Sequence, residues 1–392
     1  MNHVLADIKE FEQELIAIRR DIHKHPETAF EEHRTSQLVA DQLTHWGLEI
    51  HRGLAKTGVV GTLVGCLPGI TIGLRADLDA LNIEEDAQRD HKSIHEGKMH
   101  ACGHDGHTAM LLGAARYFSQ NRDFPGIIHF IFQPAEEGQG GGRVMIEEGL
   151  FKLFPCDMVF GMHNMPGIAA GDFAICPGAM MAASDTWTVT FSGSGGHGSM
   201  PHQATDATLA GANFIIGIQS IISRNVAPSD SAVLSIGYVH GGHHDSANVI
   251  PSSVVVRGTS RSFLPETRDL LERRMTEISQ ACAAANGCDV EFEYLRRYPP
   301  VINAAVQTEL AVSAAGLTVG DGRVNTELKP LTAGEDFSFM LHEVPGAYIL
   351  IGNGRDDGYA ANIHTPEFDF NDSILAIGSA YWVNLIKVAN AV

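Results

Sequence analysis

At 392 residues the chain is long enough for two or three domains of roughly 150 residues each. Hydrophobic residues make up 44% and charged residues 19%, ordinary usage for a protein with a buried core, which excludes wholesale disorder. Lys and Arg number 27 against 47 Asp and Glu, a formal net charge of −20, so the chain lacks the basic field that a nucleic-acid or anionic-membrane binder needs.

The opening stretch, MNHVLADIKEFEQELIAIRRDIHKHPE, places Leu5, Ile8, Phe11, Leu15, Ile18 and Ile22 at three- and four-residue spacing, which predicts an amphipathic helix. It has no apolar signal core, and no run approaches the ~20 apolar residues of a membrane span. Cys66, Cys102, Cys156, Cys176, Cys282 and Cys288 are too sparse for a disulfide scaffold and read as reduced thiols. The expectation is a soluble cytoplasmic protein without membrane or nucleic-acid partners.

A second helix is expected over 31–46, ending at Gly47. Strands follow at 58–69 and 71–81, a helix over about 106–120, and apolar strands at 126–137 and 157–164. The glycine-rich run GQGGGR at 138–143 reads as a loop. Strands apolar on both faces and separated by helices predict an α/β sheet covered on both sides. Near residue 184 the character changes. SDTWTVTFSGSGG alternates as a half-exposed strand does, followed by a helix at 205–223, strands at 231–240 and 252–263, a helix at 265–285 and a strand at 288–297. That β-α-β-β-α-β order is the ferredoxin-like unit. From Pro299 the α/β character returns, with helices at 305–317 and 372–389. The predicted architecture is a catalytic domain of 1–183 and 299–392, a mixed sheet flanked by helices, with 184–298 inserted as a ferredoxin-like domain.

Several motifs could carry chemistry. In HACGHDGH, Cys102 and His104 lie two apart, so an extended loop can turn both toward one ion, and thiolate and imidazole are transition-metal ligands; a polar loop whose histidines cap the following helix is the plainer alternative. His100 and His107 read as neighbours rather than ligands. QPAEEG puts Glu136 and Glu137 after an apolar strand, where open α/β sheets carry their sites. Adjacent carboxylates project differently, so one can bind metal while the other serves as a general base; solvated loop carboxylates are the plainer alternative. His163 in FGMHN and His364 in NIHTPEF follow strands, and alone each is as easily structural. Asp77 and Asp79 in RADLDAL either orient ligand histidines or form salt bridges. In the inserted domain, His197 sits in the glycine-rich turn GSGGHGSMPH, and Asn248 and Arg261 could meet polar substrate groups.

Taken in order, RRDIHKHPE, GLRADLDAL, MHACGHDGHTAMLLGAA, FIFQPAEEG, FGMHNMPG, GGHGSMPH, NVIP, RGTSRSF, AGEDFSFM and IHTPEFDFND resemble the metal-dependent aminoacylase and carboxypeptidase family. The likeness is strongest to its branch of hippurate hydrolases, N-acyl-amino-acid amidohydrolases and auxin-conjugate hydrolases. The resemblance implies two divalent ions per subunit, manganese or zinc with cobalt or nickel as alternatives, held by Cys102, His104, Glu137, His163 and His364. It makes Glu136 the general base. It implies a dimerising lid, in a homodimer or homotetramer, whose His197 reaches the partner's site, with Asn248 and Arg261 near the substrate. The loop GGHHDSANVIP is longer than the family pattern, which bears on substrate preference. The implied reaction is hydrolysis of N-acyl amino acids. Rivals are a dipeptidase or carboxypeptidase of the same family and a metal-binding protein without catalysis. A zinc deaminase would need a C-x-x-C motif, which this chain lacks.

Overall fold

The apolar runs pair into an eight-stranded sheet, in the order Glu49–Leu54, Gly58–Val64, Pro125–Gln133, Leu67–Asp77, Met158–Pro166, Gly346–Gly354, Phe173–Ala174 and Val324–Asn325. A computed structural model describes residues 3–355 and 358–391 and divides the chain into two units. The first holds this sheet and comprises Met1–Met180, Ile302–Lys329 and Asp336–Val392; the second comprises Met181–Val301 and Pro330–Glu335.

The four central strands of the first unit, from Pro125–Gln133 to Gly346–Gly354, run parallel. Gly346–Gly354 is buried along its whole length, as expected of a parallel strand covered on both faces. Helices His104–Gln120 and Leu375–Ala389 are buried along most of their residues, so neither shows the one-sided stripe of a surface helix. Because the strands are parallel, the segments that follow Asp77, Gln133 and Gly354, and the His163 end of Met158–Pro166, all lie at one edge of the sheet.

In the second unit, strands Ala183–Ser192, Ala232–Gly241, Ser253–Ser262 and Asp289–Tyr298 form an antiparallel sheet with helices Ala207–Gly217 and Pro265–Ala285, the ferredoxin-like order. Alternate residues of Ala183–Ser192 are buried, and Trp187, Val189 and Phe191 join Phe214, Leu271 and Met275 in the core.

The structure departs from the sequence reading in several places. The 184–298 insertion gains the segment 330–335: Ala182 donates its N–H to the carbonyls of Leu331 and Ala333, and Arg261 Nε donates to the Thr332 carbonyl. Backbone pairing of that kind has no signature in local sequence. The first helix is two, His3–Lys9 and Glu12–Lys24, and the 205–223 helix breaks at Ile218.

The glycine run is part turn and part helix: Gly138 and Gly140 take positive φ, 80° and 69°, and helix Gly141–Glu147 begins after them. Gly141 and Gly142 serve close approach. A Cβ on Gly141 would lie 1.8 Å from the Pro134 carbonyl oxygen, and Gly142 donates its N–H to Asp336 Oδ2 at 2.8 Å. The substitution Gly141→Ala should therefore destabilise the protein by about 2 kcal/mol through overpacking, read as a fall of several degrees in melting temperature. An unchanged melting curve would show that the Pro134 turn is not held this tightly.

Candidate metal centre

The parallel strand ends deliver the site. Strand Leu67–Asp77 presents Asp77 and, two residues on, Asp79. Gln133 ends its strand, and the chain turns through Ala135 in the left-handed region, φ 56°, before Glu136 and Glu137. His163 and Asn164 close Met158–Pro166. Cys102 and His104 flank Gly103, which opens helix His104–Gln120 at φ 97°. A Cβ on Gly103 would fall 2.1 Å from Asn164 Oδ1, so conformation and crowding both demand glycine there. His364 is tied to the same loop, its N–H donated to the Ala101 carbonyl at 2.7 Å.

These segments bring all five expected ligands together. The donor atoms of Cys102, His104 and His163 lie within 4.8 Å of one another, and so do those of Cys102, Glu137 and His364. Cys102 therefore belongs to two triads. Its Sγ is 3.3 Å from His163 Nε2, and Glu137 Oε1 is 3.0 Å from His364 Nε2. Glu136 shares a third cluster with His104 and Glu137 and accepts the Asp336 N–H at 3.4 Å.

The imidazoles are prepared as ligands. His104 Nδ1 meets Asp79 Oδ1 at 3.2 Å and His163 Nδ1 meets the Asn164 carbonyl at 2.5 Å. An Nδ1 proton donated to those oxygens leaves each Nε2 lone pair facing the centre. His104 Nε2 is buried and has no hydrogen-bond partner among the described residues, the mark of an atom awaiting a ligand. This set of a thiol, imidazoles and a carboxylate fits a divalent transition metal.

Electrostatics point the same way. Burial opposes charging His104, but Asp77, Asp79 and Glu137 outweigh it and hold the imidazolium at about 10. Burial, with Glu137 and Glu136 nearby, pushes the Cys102 thiol well above its ordinary range. Burial also drives His163 well below its ordinary value. Without a cation, the His104 imidazolium offsets the nearby carboxylates, and the proton on Cys102 keeps the sulfur from adding a further negative charge.

Asp77 and Asp79, read as orienting residues or salt-bridge partners, do both. Asp79 holds His104, and Asp77 holds His107 Nδ1 at 2.6 Å as well as Arg75 Nη1 at 2.7 Å. Arg75 itself was not singled out in the sequence. Fully buried, it also donates to Gln133 Oε1 at 2.9 Å and Asp336 Oδ1 at 3.0 Å. An arginine inside an apolar strand was the available signal, since a buried charge requires partners.

His197, Asn248 and Arg261 belong to the second unit. His197 is exposed, and its Nδ1 accepts the Ser199 N–H at 3.2 Å. Its strand pairs with Val249–Ile250, and Asn248 accepts the Gly198 N–H at 2.7 Å, so these two are brought together. Arg261 is not with them. It lies near the far end of Ser253–Ser262, roughly 25 Å along at the usual rise per residue.

Residues 73–388 match the model of peptidase family M20/M25/M40. The chain belongs to that family. Hippurate hydrolase of Campylobacter jejuni is 39% identical over 383 residues, covering 98% of each chain. N-acetyl-L-cysteine deacetylase of Bacillus subtilis is 37% identical over 380 residues, 96% of this chain and 88% of that one. A solved Bacillus subtilis structure, a dinuclear metal-binding peptidase of the M20 family, superposes with a TM-score of 0.86 at 32% identity, covering 98% of this chain and 99% of that one. The metal-ready cluster is thus that of an M20/M25/M40 chain.

The protonation pattern of the metal-free site carries a measurable consequence. Both ligands must deprotonate to bind a cation, so zinc or manganese added to chelator-stripped protein at pH 8 should release protons from His104 and Cys102. Because His104 titrates near 10, affinity should rise with pH across the neutral range. Calorimetry in buffers of different ionisation enthalpy reads the proton count. Binding without proton release would show that these two residues do not ligate.

Proposed function

We infer that this chain hydrolyses the amide bond of N-acyl amino acids, consuming one water and giving a carboxylic acid and a free amino acid. The observation that carries this reading is Cys102 shared between a buried triad with His104 and His163 and a second that opens to solvent at His364, with the Glu136 carboxylate beside them and in neither. Two divalent ions, manganese or zinc with cobalt or nickel as alternatives, held by Cys102, His104, His163, Glu137 and His364, would polarise the scissile carbonyl and make water a better nucleophile. The hippurate hydrolase and deacetylase names of the relatives support the N-acyl substrate class.

Glu136 is the general base. It is nearly buried, close to the ligand cluster, and directed by the Asp336 N–H. It takes the proton of the attacking water and later gives it to the departing amine. His197 stabilises the oxyanion, with Asn248 beside it. The reading takes His197 from a second copy, in a homodimer or homotetramer, and keeps Asn248 and Arg261 as groups near the substrate. No described helix is long and apolar enough to cross a membrane; the reading is of a cytoplasmic enzyme with small-molecule substrates and no nucleic-acid partner.

Two measurements test it. Metal-restored release of amino acid from hippurate and N-acetyl amino acids, compared with dipeptides, separates an amidohydrolase from a dipeptidase; no turnover of any of them with metal bound leaves only a metal-binding protein. Glu136→Gln should keep its metal while kcat falls by about 10²–10⁴. Normal turnover in that variant removes Glu136 from the mechanism. Mixing inactive Glu136→Gln and His197→Ala chains should restore part of the activity if His197 acts across copies, and verified mixed dimers without recovery would place it in its own chain's site.

A further inference from the structure

Glu32 follows the HKHPE stretch and has no part in the site described above. It is fully buried, yet among the described residues it has no cationic hydrogen-bond partner. Its Oε1 accepts the backbone N–H groups of Phe30 at 3.0 Å and Ala135 at 2.9 Å, and its Oε2 accepts the Thr57 hydroxyl at 2.6 Å. One carboxylate thus joins three segments distant in sequence, and the third is the turn immediately before Glu136.

Those segments share a second property. Among the described residues, five that are not glycine adopt positive φ: Phe30 at 63°, Ala55 at 49°, Lys56 at 70°, Ala135 at 56° and His364 at 63°. Two of them, Phe30 and Ala135, donate directly to Glu32, and Ala55 and Lys56 immediately precede its third partner, Thr57. Left-handed backbone in residues with a Cβ costs on the order of 1–3 kcal/mol each and persists only where surrounding contacts enforce it. Strain of this kind is concentrated around one buried carboxylate that has no other evident task.

Ala135 is where the strain bears on chemistry. Its left-handed turn ends the Gln133 strand and sets the direction in which Glu136 and Glu137 leave it. The N–H of Glu137 is held by Asp79 Oδ2 at 2.9 Å, and the carbonyl of Ala135 accepts the Gly141 N–H at 2.9 Å. The remaining anchor, on the Ala135 N–H itself, is Glu32. We propose that Glu32 is a positioning residue for the reaction, its buried carboxyl clamping the Ala135 turn so that Glu136 points at the substrate water rather than into a relaxed loop. This rests on the assignment of Glu136 as general base.

The clamp works by geometry, not charge. Burial pushes the Glu32 carboxyl up to about 7, against the Thr57 hydrogen bond that favours ionisation. Either protonation state serves: ionised, both oxygens accept; protonated on Oε2, the group donates to the Thr57 hydroxyl while Oε1 still accepts both backbone N–H groups. A glutamine matches the second state atom for atom. An aspartate keeps the charge but is one methylene shorter and cannot span the three donors.

The test compares Glu32→Gln, Glu32→Asp and Glu32→Ala with Glu136→Gln, all metal-loaded, at a temperature well below the melting point of each. Glu32→Gln should keep kcat within about twofold of the parent. Glu32→Asp and Glu32→Ala should lose kcat by about 10- to 100-fold, the scale of a misplacement near 1 Å, with KM and metal content unchanged. Hydrogen exchange over residues 134–138 should quicken in these two and not in Glu32→Gln. If Glu32→Ala does not fold, Glu32→Asp alone decides. The proposal is overturned if the aspartate variant keeps the parent's kcat, if its loss is traced to KM or missing metal, or if Glu32→Gln falls as far as Glu32→Asp. An active Glu136→Gln would instead remove the reading beneath the proposal, whereas an inactive Glu136→Gln beside a normal Glu32→Asp removes only the clamp.

Discussion

Buried negative charge is the constraint from which the rest of the first unit follows. Asp77, Asp79, Glu136 and Asp336 are all withdrawn from water at one edge of a single sheet. Isolated carboxylates do not survive there ionised, so each must be answered. Arg75 answers Asp77 and Asp336 directly, and backbone N–H groups answer Asp79, Glu136 and Asp336 from another side. What remains faces His104 and Cys102, and only protons or metal cations can balance it. The demand for cations is therefore a property of the folded chain rather than an addition to it.

Holding so much charge in place requires a scaffold that cannot relax around it. The parallel strands provide one end of the lever. The other end is the start of helix His104–Gln120, where Asp105, next to His104, accepts from Arg19 Nε at 2.8 Å and lies 2.8 Å from His23 Nδ1. Arg19 is fully buried and also reaches Asp369 at 2.7 Å. It thereby locks helix Glu12–Lys24, the loop of Cys102 and His104 and the segment just beyond His364 into one network. Such a network is worth little as net stability, because desolvation offsets attraction. Its contribution is to geometric definition, which a metal site with fixed ligand distances needs.

This division explains what the sequence could show. Cys102 and His104 were legible as candidate ligands because ligand chemistry belongs to the side chain; Glu137, His163 and His364 stood out as strand-end residues, and only the family resemblance joined the five into one set. The ferredoxin-like order was legible in the local pattern: Trp187, Val189 and Phe191 alternate. Arg75 with Asp336, or Glu32 with Ala135, was not, since such pairings join residues more than a hundred positions apart and exist only once the sheet has assembled. The glycine run was legible only in part, because glycine marks both turns, as at Gly138 and Gly140, and close approach, as at Gly141. Only the position of the Pro134 carbonyl, 1.8 Å from where a Gly141 Cβ would sit, decides between them.

Asp79 shows how two triads come to be placed at a defined separation. One of its oxygens meets His104 Nδ1, and His104 belongs to the first triad. The other accepts the backbone N–H of Glu137, which belongs to the second. The two oxygens of a carboxylate are separated by a rigid, planar group, so Asp79 fixes the His104 ring relative to the backbone from which Glu137 projects. Asp77 cannot do this, because its oxygens are taken by His107 and Arg75. The two aspartates of RADLDAL, similar by sequence, thus have different tasks: Asp77 ties the centre to the buried arginine beneath it, and Asp79 sets the relation between its halves.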